Sequence, residues 1–98
     1  MILIAGASGT LGKNICSYLD SSSNDYRIIR REQGYSKEFS KIMRTLPENR
    51  RQASPHVFYY LAIPPQPRSE LDWDAHTLDV AASCKEAKTH NAILVYAS

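Results

Sequence analysis

Residues 2–12 read ILIAGASGTLG. Four apolar residues, Ile2 to Ala5, run into glycines at 6, 9 and 12, and an amphipathic segment begins at Thr10 or Leu11. The pattern is a strand, a tight turn and a helix. Gly6 permits a turn off the strand with positive φ. Gly9 lets the backbone approach a pyrophosphate with no Cβ in the way, and Gly12 lets the helix pack closely on the sheet. The start of the helix offers free N–H groups and the positive end of its dipole to phosphates. The stretch therefore reads as the opening of a dinucleotide-binding βαβ unit. The alternative is a glycine-rich turn in another α/β protein that binds nothing there.

Downstream, the first helix is expected over Thr10–Leu19, with Leu11, Ile15 and Leu19 as its buried stripe. Asp20–Asp25 (DSSSND) is a polar turn that ends it. Tyr26–Arg30 (YRIIR) is the second strand. Its end is where such a unit meets the adenine ribose: an acidic residue there favours NAD, an arginine favours NADP. Arg30 and Arg31 come first and Glu32 only after them, so NADP is favoured over NAD. Solvated loop charges are the alternative. Ser36–Leu46 is an amphipathic helix with Phe39, Ile42, Met43 and Leu46 on one face. Pro47–Pro55 reads as a loop. Val57–Leu61 (VFYYL) is a central parallel strand, apolar on both faces.

Ser69–His90 holds a long helix, capped by Ser69 or Asp72, with Leu71, Ala75, Leu78, Ala81 and Ala82 as its buried stripe. Trp73 lies near its start, half exposed, in a packing role. Ala92–Ala97 (AILVYA) is a last strand whose continuous apolar run is typical of a buried parallel strand.

The totals bound the function. A chain of 98 residues, 43% hydrophobic and 22% charged, suits one soluble domain. The net charge of +2 does not argue for nucleic acid. Between Arg27 and Arg51 there are eight Lys/Arg against three Glu; this band reads as a solvated helix and loop beside an anionic cofactor, with nucleic-acid binding a weaker alternative. There is no apolar run of transmembrane length, and Gly6 interrupts the N-terminal apolar stretch, so neither a membrane span nor a signal peptide is expected. Cys16 and Cys84 form no metal or redox motif and are expected to be reduced, half-buried helix residues in a cytoplasmic protein. His56, His76 and His90 are expected at the surface or at helix ends, without metal-ligand spacing.

The Gly-x-x-Gly-x-x-Gly spacing, as GASGTLG, resembles the short-chain dehydrogenase/reductase superfamily. It is nearest the extended branch of epimerases and dehydratases and the atypical NmrA-like branch. A P-loop is disfavoured, because Gly12-Lys13 is followed by Asn14. The resemblance implies a Rossmann-like parallel sheet of about four strands with helices on both faces. The usual third strand is not found, and the chain is expected to stop before the family's C-terminal half. By the same resemblance Gly6, Ser8, Gly9, Thr10, Leu11 and Gly12 would hold the pyrophosphate of NADP, and Arg30 and Arg31 its 2′-phosphate. Leu61, Ala62, Ile63 and Pro64 would line the nicotinamide side; Ile63 and Pro64 replace the family's small residues. Ser98 matches the start of the Ser/Thr cluster that carries the family's catalytic hydroxyl.

The family's chemistry also needs a Tyr-x-x-x-Lys pair, in which Lys lowers the pKa of the Tyr acid/base. None of Tyr18, Tyr26, Tyr35, Tyr59, Tyr60 and Tyr96 has a Lys four residues on. The expectation is the NADP-binding portion of an oxidoreductase, epimerase or dehydratase acting on a small molecule such as a nucleotide sugar, not catalytic by itself. A non-enzymatic, NmrA-like dinucleotide-sensing or partner-binding module is the alternative. The last strand would leave an open apolar edge, which predicts either a further part of the protein or self-association through 92–97.

Overall fold

The computed structural model describes residues 1–30, 34–52, 56–62 and 70–97. The elements are β1 (Ile2–Ala5), α1 (Thr10–Ser21), β2 (Tyr26–Ile29), α2 (Tyr35–Thr45), α3 (Glu48–Gln52), β3 (His56–Tyr60), α4 (Glu70–Thr89) and β4 (Ala92–Tyr96). All three strand pairings are parallel, in the order β2-β1-β3-β4. This is the expected α/β, Rossmann-like sheet. Among the described residues no strand lies outside β2, where such sheets usually continue.

Parallel strands joined by right-handed crossovers put α1 on one face of the sheet and α2 with α4 on the other. The α2/α4 face holds the main core. Leu3, Ala5, Ile29, Phe58 and Tyr60 from the strands pack with Phe39, Met43 and Leu46 of the α2 region. The ring centroids of Phe39 and Phe58 lie 4.6 Å apart. On the opposite face Ile4 is fully buried, and its register neighbours are Ile28 and Tyr59.

Helix α1 starts where expected but runs to Ser21. Ser21 and Ser22 donate their hydroxyls to the carbonyls of Ser17 and Tyr18, at 3.0 and 2.8 Å, which carries the last turn past Leu19. The chain then reverses at Ser23 (φ 58), with the Ser23 N–H on Asp20 O and the Asn24 N–H on Leu19 O. That pair of bonds is a Schellman closure with serine in the left-handed position usually given to glycine. The buried stripe of α1 differs from the expected one. It is Gly12, Ile15, Cys16 and Leu19, buried or half-buried, whereas Leu11 is 45% exposed. Gly12 must lie against the turn before it, and this sets the rotation of the helix and swings Leu11 out.

Two further expectations are corrected. The segment 47–55 is not all loop, because α3 occupies Glu48–Gln52, with Glu48 in its first turn, where the dipole favours an acidic residue. The buried face of α4 is also different. Leu78 is 72% exposed and Ala75, Ala81 and Ala82 are exposed, while His76, Ser83 and Ala87 are buried and Asp79 and Val80 half-buried. Leu71, whose side chain is outside the description, completes the expected stripe. Asp79 and His76 turn inward here because α2, β3 and β4 supply partners for them. Trp73 is half exposed, as expected.

His56 and His76 are buried rather than at the surface, and Cys84 is exposed rather than half-buried. Both cysteines are free. No described helix is long and apolar enough to cross a membrane.

Strand β4 forms the sheet edge, so the expectation of a buried strand is corrected as well. Ile93, Val95 and Tyr96 are 54%, 37% and 46% exposed. On the α1 face, Val57 and Tyr59 of β3 stand beside Ile93 and Val95, their register partners. An apolar row therefore reaches an open edge.

Candidate functional site

Strand β1 hands the chain to β2 on one side of the sheet, and the next strand in sequence, β3, lies on the other side of β1. The carboxyl ends of β1 and β3 thus flank the point where the winding reverses, the place where open α/β sheets bind ligands. The glycine turn sits there. Gly6 leaves β1 at φ 87, and an ideal Cβ on it would lie 2.5 Å from Ala62 N and 2.7 Å from Leu61 C. The turn is therefore pressed against the backbone that leaves β3. Within the turn the Gly9 N–H donates to Gly6 O at 3.3 Å. A methyl on Gly12 would collide with Gly6 O and lie 2.7 Å from Ala7 Cα.

Gly9 is the exception. Its φ and ψ, −76° and 171°, are open to any residue, and among the described residues an ideal Cβ there would meet only Gly6 O, at an ordinary 3.7 Å. Chain packing requires glycine at 6 and 12 but not at 9. Gly9 is also the N-cap of α1, and no side chain caps the helix; its first turn carries no acidic residue. Among the described residues, then, no side-chain anion caps the amide end of α1 at the carboxyl edge of the sheet, and Gly9 places no side chain there. Ser8, Gly9, Thr10 and Leu11 are exposed around it.

Six of the expected contacts, Gly6, Ser8, Gly9, Thr10, Leu11 and Gly12, are therefore brought together, with Leu61 and Ala62 alongside. Arg30 is exposed and follows β2, one strand away from the turn at the same end of the sheet. Arg31, Ile63, Pro64 and Ser98 lie outside the described residues. The described residues of the basic band line two separate surfaces. Arg27 and Arg50 line a hollow of about 540 Å³ at the amino end of the sheet with Met1, Ile2 and Asp25, while Lys37, Lys41 and Arg44 line a groove between α2 and α4 together with Glu38 and Glu86. The amino-end hollow is across the sheet from the glycine turn and holds no part of the candidate site.

Sequence reading missed a polar cluster at the carboxyl end. Tyr60, the last residue of β3, donates its hydroxyl to Asp79 Oδ2 at 2.6 Å. Asp79 also accepts the Tyr35 N–H at 3.2 Å, the Ser36 N–H at 3.2 Å and the Ser36 hydroxyl at 2.8 Å. Nearby, His76 Nε2 is 3.2 Å from the Tyr96 hydroxyl, and the His76 and Tyr60 rings meet edge to face at 5.7 Å. No sequence signal announces these pairs, because their members come from separate elements.

No protein-family model matches the chain, and no curated protein or solved structure matches it either.

Proposed function

We propose that the chain binds a nicotinamide dinucleotide at the glycine turn, with NADP(H) preferred over NAD(H). The observation that carries this reading is Gly9. Its glycine has no packing reason, and it lies at the uncapped amide end of α1, at the reversal point of the sheet. A pyrophosphate gives both features a purpose: the N–H groups donate to it, and the missing side chain admits it. Arg30, with Arg31 beyond it in the sequence, supplies the positive charge for a 2′-phosphate. Leu61 and Ala62, with Ile63 and Pro64 next, line the path toward the nicotinamide.

In this reading the chain is the cofactor-holding portion of an oxidoreductase, epimerase or dehydratase of the short-chain dehydrogenase/reductase type, acting on a small molecule such as a nucleotide sugar. With no Tyr-x-x-x-Lys pair, these residues bind and orient the cofactor and do not themselves carry out turnover. A second reading, an NmrA-like sensor whose output is a partner protein, is favoured by the apolar row in which half-buried Val57 and Tyr59 run out to exposed Ile93 and Val95. The same row suits self-association through β4. The test of the first reading is a calorimetric titration with NADPH and with NADH, on the wild-type chain and on the Arg30→Ala/Arg31→Ala variant. Tighter NADPH binding that drops to the NADH level in the variant supports it; binding of neither cofactor refutes it.

A further inference from the structure

The described sheet has two edges, and they differ in charge. Strand β2 carries Arg27 among its four residues, and Arg30 follows it. A charged edge resists the addition of another strand. Strand β4 reads AILVY, with no charge, no proline and no glycine. It is the edge without such protection.

Its hydrogen bonds to β3 fix which backbone groups point away from the sheet. The Ala97 N–H donates to Tyr60 O at 3.2 Å. Backbone groups alternate sides along a parallel strand. Ile93 and Val95 therefore turn theirs toward β3 with Ala97, and Ala92, Leu94 and Tyr96 turn theirs outward.

A second β4 fits this pattern. With a two-fold axis at Leu94 the two strands run antiparallel. Leu94 then lies opposite the partner's Leu94, and Ala92 opposite the partner's Tyr96, with the reverse pair following by symmetry. All of these residues turn their groups outward, so each pair exchanges two N–H···O bonds. An axis at Ile93 or Val95 loses one of these pairs from the strand. A parallel copy on an exact two-fold axis sets outward groups against outward groups, whereas a parallel ladder needs them staggered by one residue.

The side chains agree with the same axis. Ile93 falls opposite the partner's Val95 as a non-hydrogen-bonded pair, the kind in which side chains come closest. These two are exposed on the α1 face, beside Val57 and Tyr59. On the other face the exposed Tyr96 meets the partner's Ala92, which is small enough to leave room for the ring.

We propose that two copies of this chain join through β4, antiparallel about a two-fold axis at Leu94, so that the two four-stranded sheets become one. The contact is isologous and closes at the dimer. It does not depend on the dinucleotide reading, because the glycine turn leaves β1, two strands away.

The test is disulfide cross-linking together with sedimentation velocity, on chains carrying Cys84→Ser so that this exposed thiol takes no part. Ile93→Cys and Val95→Cys chains are prepared separately, mixed and oxidised with copper phenanthroline, and the linked peptides are identified by mass. The register puts position 93 about 4.5 Å from the partner's position 95, Cα to Cα, a separation that a disulfide spans. It holds two copies of position 93, or two of position 95, roughly 8 Å apart, beyond that span. The expected result is a 93–95 linked dimer from the mixture and little linkage from either variant alone. The wild type sediments as a dimer, and Val95→Lys raises its dissociation constant at least about tenfold. Both substituted positions are exposed, and far-ultraviolet circular dichroism checks that each variant keeps the fold. Either cysteine variant linking to itself as strongly as the mixture puts the axis elsewhere and overturns the inference. Growth past the dimer overturns it, since that needs a head-to-tail contact. So does a concentration-independent monomer, and so does a dimer that Val95→Lys leaves intact and the mixture leaves unlinked.

Discussion

The three glycines of the turn separate what the fold needs from what a ligand needs, and substituting them one at a time makes the separation measurable. Alanine at Gly12 drives a methyl into Gly6 O and to 2.7 Å from Ala7 Cα. Both are backbone atoms with no rotamer to escape into, so the turn must open by roughly 1 Å or α1 must lift from the sheet. Overpacking of this kind costs about 1–3 kcal/mol or more, a large share of the roughly 5–15 kcal/mol that holds a small domain together.

Alanine at Gly9 meets only Gly6 O at 3.7 Å, with φ at −76°. Restricting the unfolded chain stabilises by about 0.4–1 kcal/mol. Losing glycine for alanine at an N-cap costs a similar amount, so the net change in stability is near zero. Binding behaves oppositely. The methyl occupies the approach to the α1 amides, and each charge-assisted hydrogen bond lost is worth about 1.5–3 kcal/mol. Urea unfolding read by Trp73 fluorescence gives the stabilities, and NADPH titration gives the affinities. The expected result is Gly9→Ala within about 0.5 kcal/mol of wild type with at least tenfold weaker NADPH binding, and Gly12→Ala strongly destabilised. A Gly9→Ala chain that binds NADPH as well as wild type refutes the reasoning, whatever its stability.

Four other outcomes follow from the same geometry. Ser83 is fully buried and its hydroxyl has no partner among the described residues, so Ser83→Ala should raise the unfolding free energy by about 1 kcal/mol in urea. Ser23 occupies the left-handed position that closes α1 (φ 58), so Ser23→Gly should stabilise by up to about 1 kcal/mol, visible as a higher thermal midpoint. The Tyr26 hydroxyl donates to Asp20 Oδ1 at 2.9 Å, and that bond, with some burial and the Asp20 charge, pushes its pKa up to about 12. Because the protonated form is favoured in the folded chain, this contribution is complete below pH about 10 and is lost as the pH rises through about 12; ultraviolet titration should find a late-titrating phenol that Tyr26→Phe removes. Ile93 and Val95 stand exposed beside the open edge of β4, so wild-type chain should associate with rising concentration in sedimentation runs, and Val95→Lys should suppress it; a concentration-independent monomer contradicts this.

The parts of the fold legible in the sequence are those fixed by local geometry. The β1–turn–α1 unit was readable because glycine spacing and a short apolar run constrain backbone that lies within a dozen residues. The α2 stripe was readable because Phe39, Met43 and Leu46 are both apolar and inward. The face of α4 was not. That helix has almost no net hydrophobic asymmetry, and its more apolar side, Leu78 with Ala81 and Ala82, faces outward. What turns Asp79 and His76 inward is Tyr60, the α2 amides and Tyr96, and these contacts exist only once β3 and β4 lie side by side. Helix α3 escaped notice because five polar residues carry no periodic stripe. Leu11 was misplaced by a single position, because the collision at Gly12, rather than hydropathy, sets the rotation of α1. The candidate site divides the same way: its glycine turn is legible in the sequence, while the cluster of Asp79 with Tyr60 and the α2 amides is not.

The most direct test of the central claim is amide NMR of the chain titrated with NADPH. The account predicts that the largest shifts fall on Gly9, Thr10, Leu11 and Gly12, with smaller ones at Leu61, Ala62 and Arg30. Shifts confined to the amino-end hollow around Asn24–Arg27, or no shifts at saturating cofactor, would contradict it.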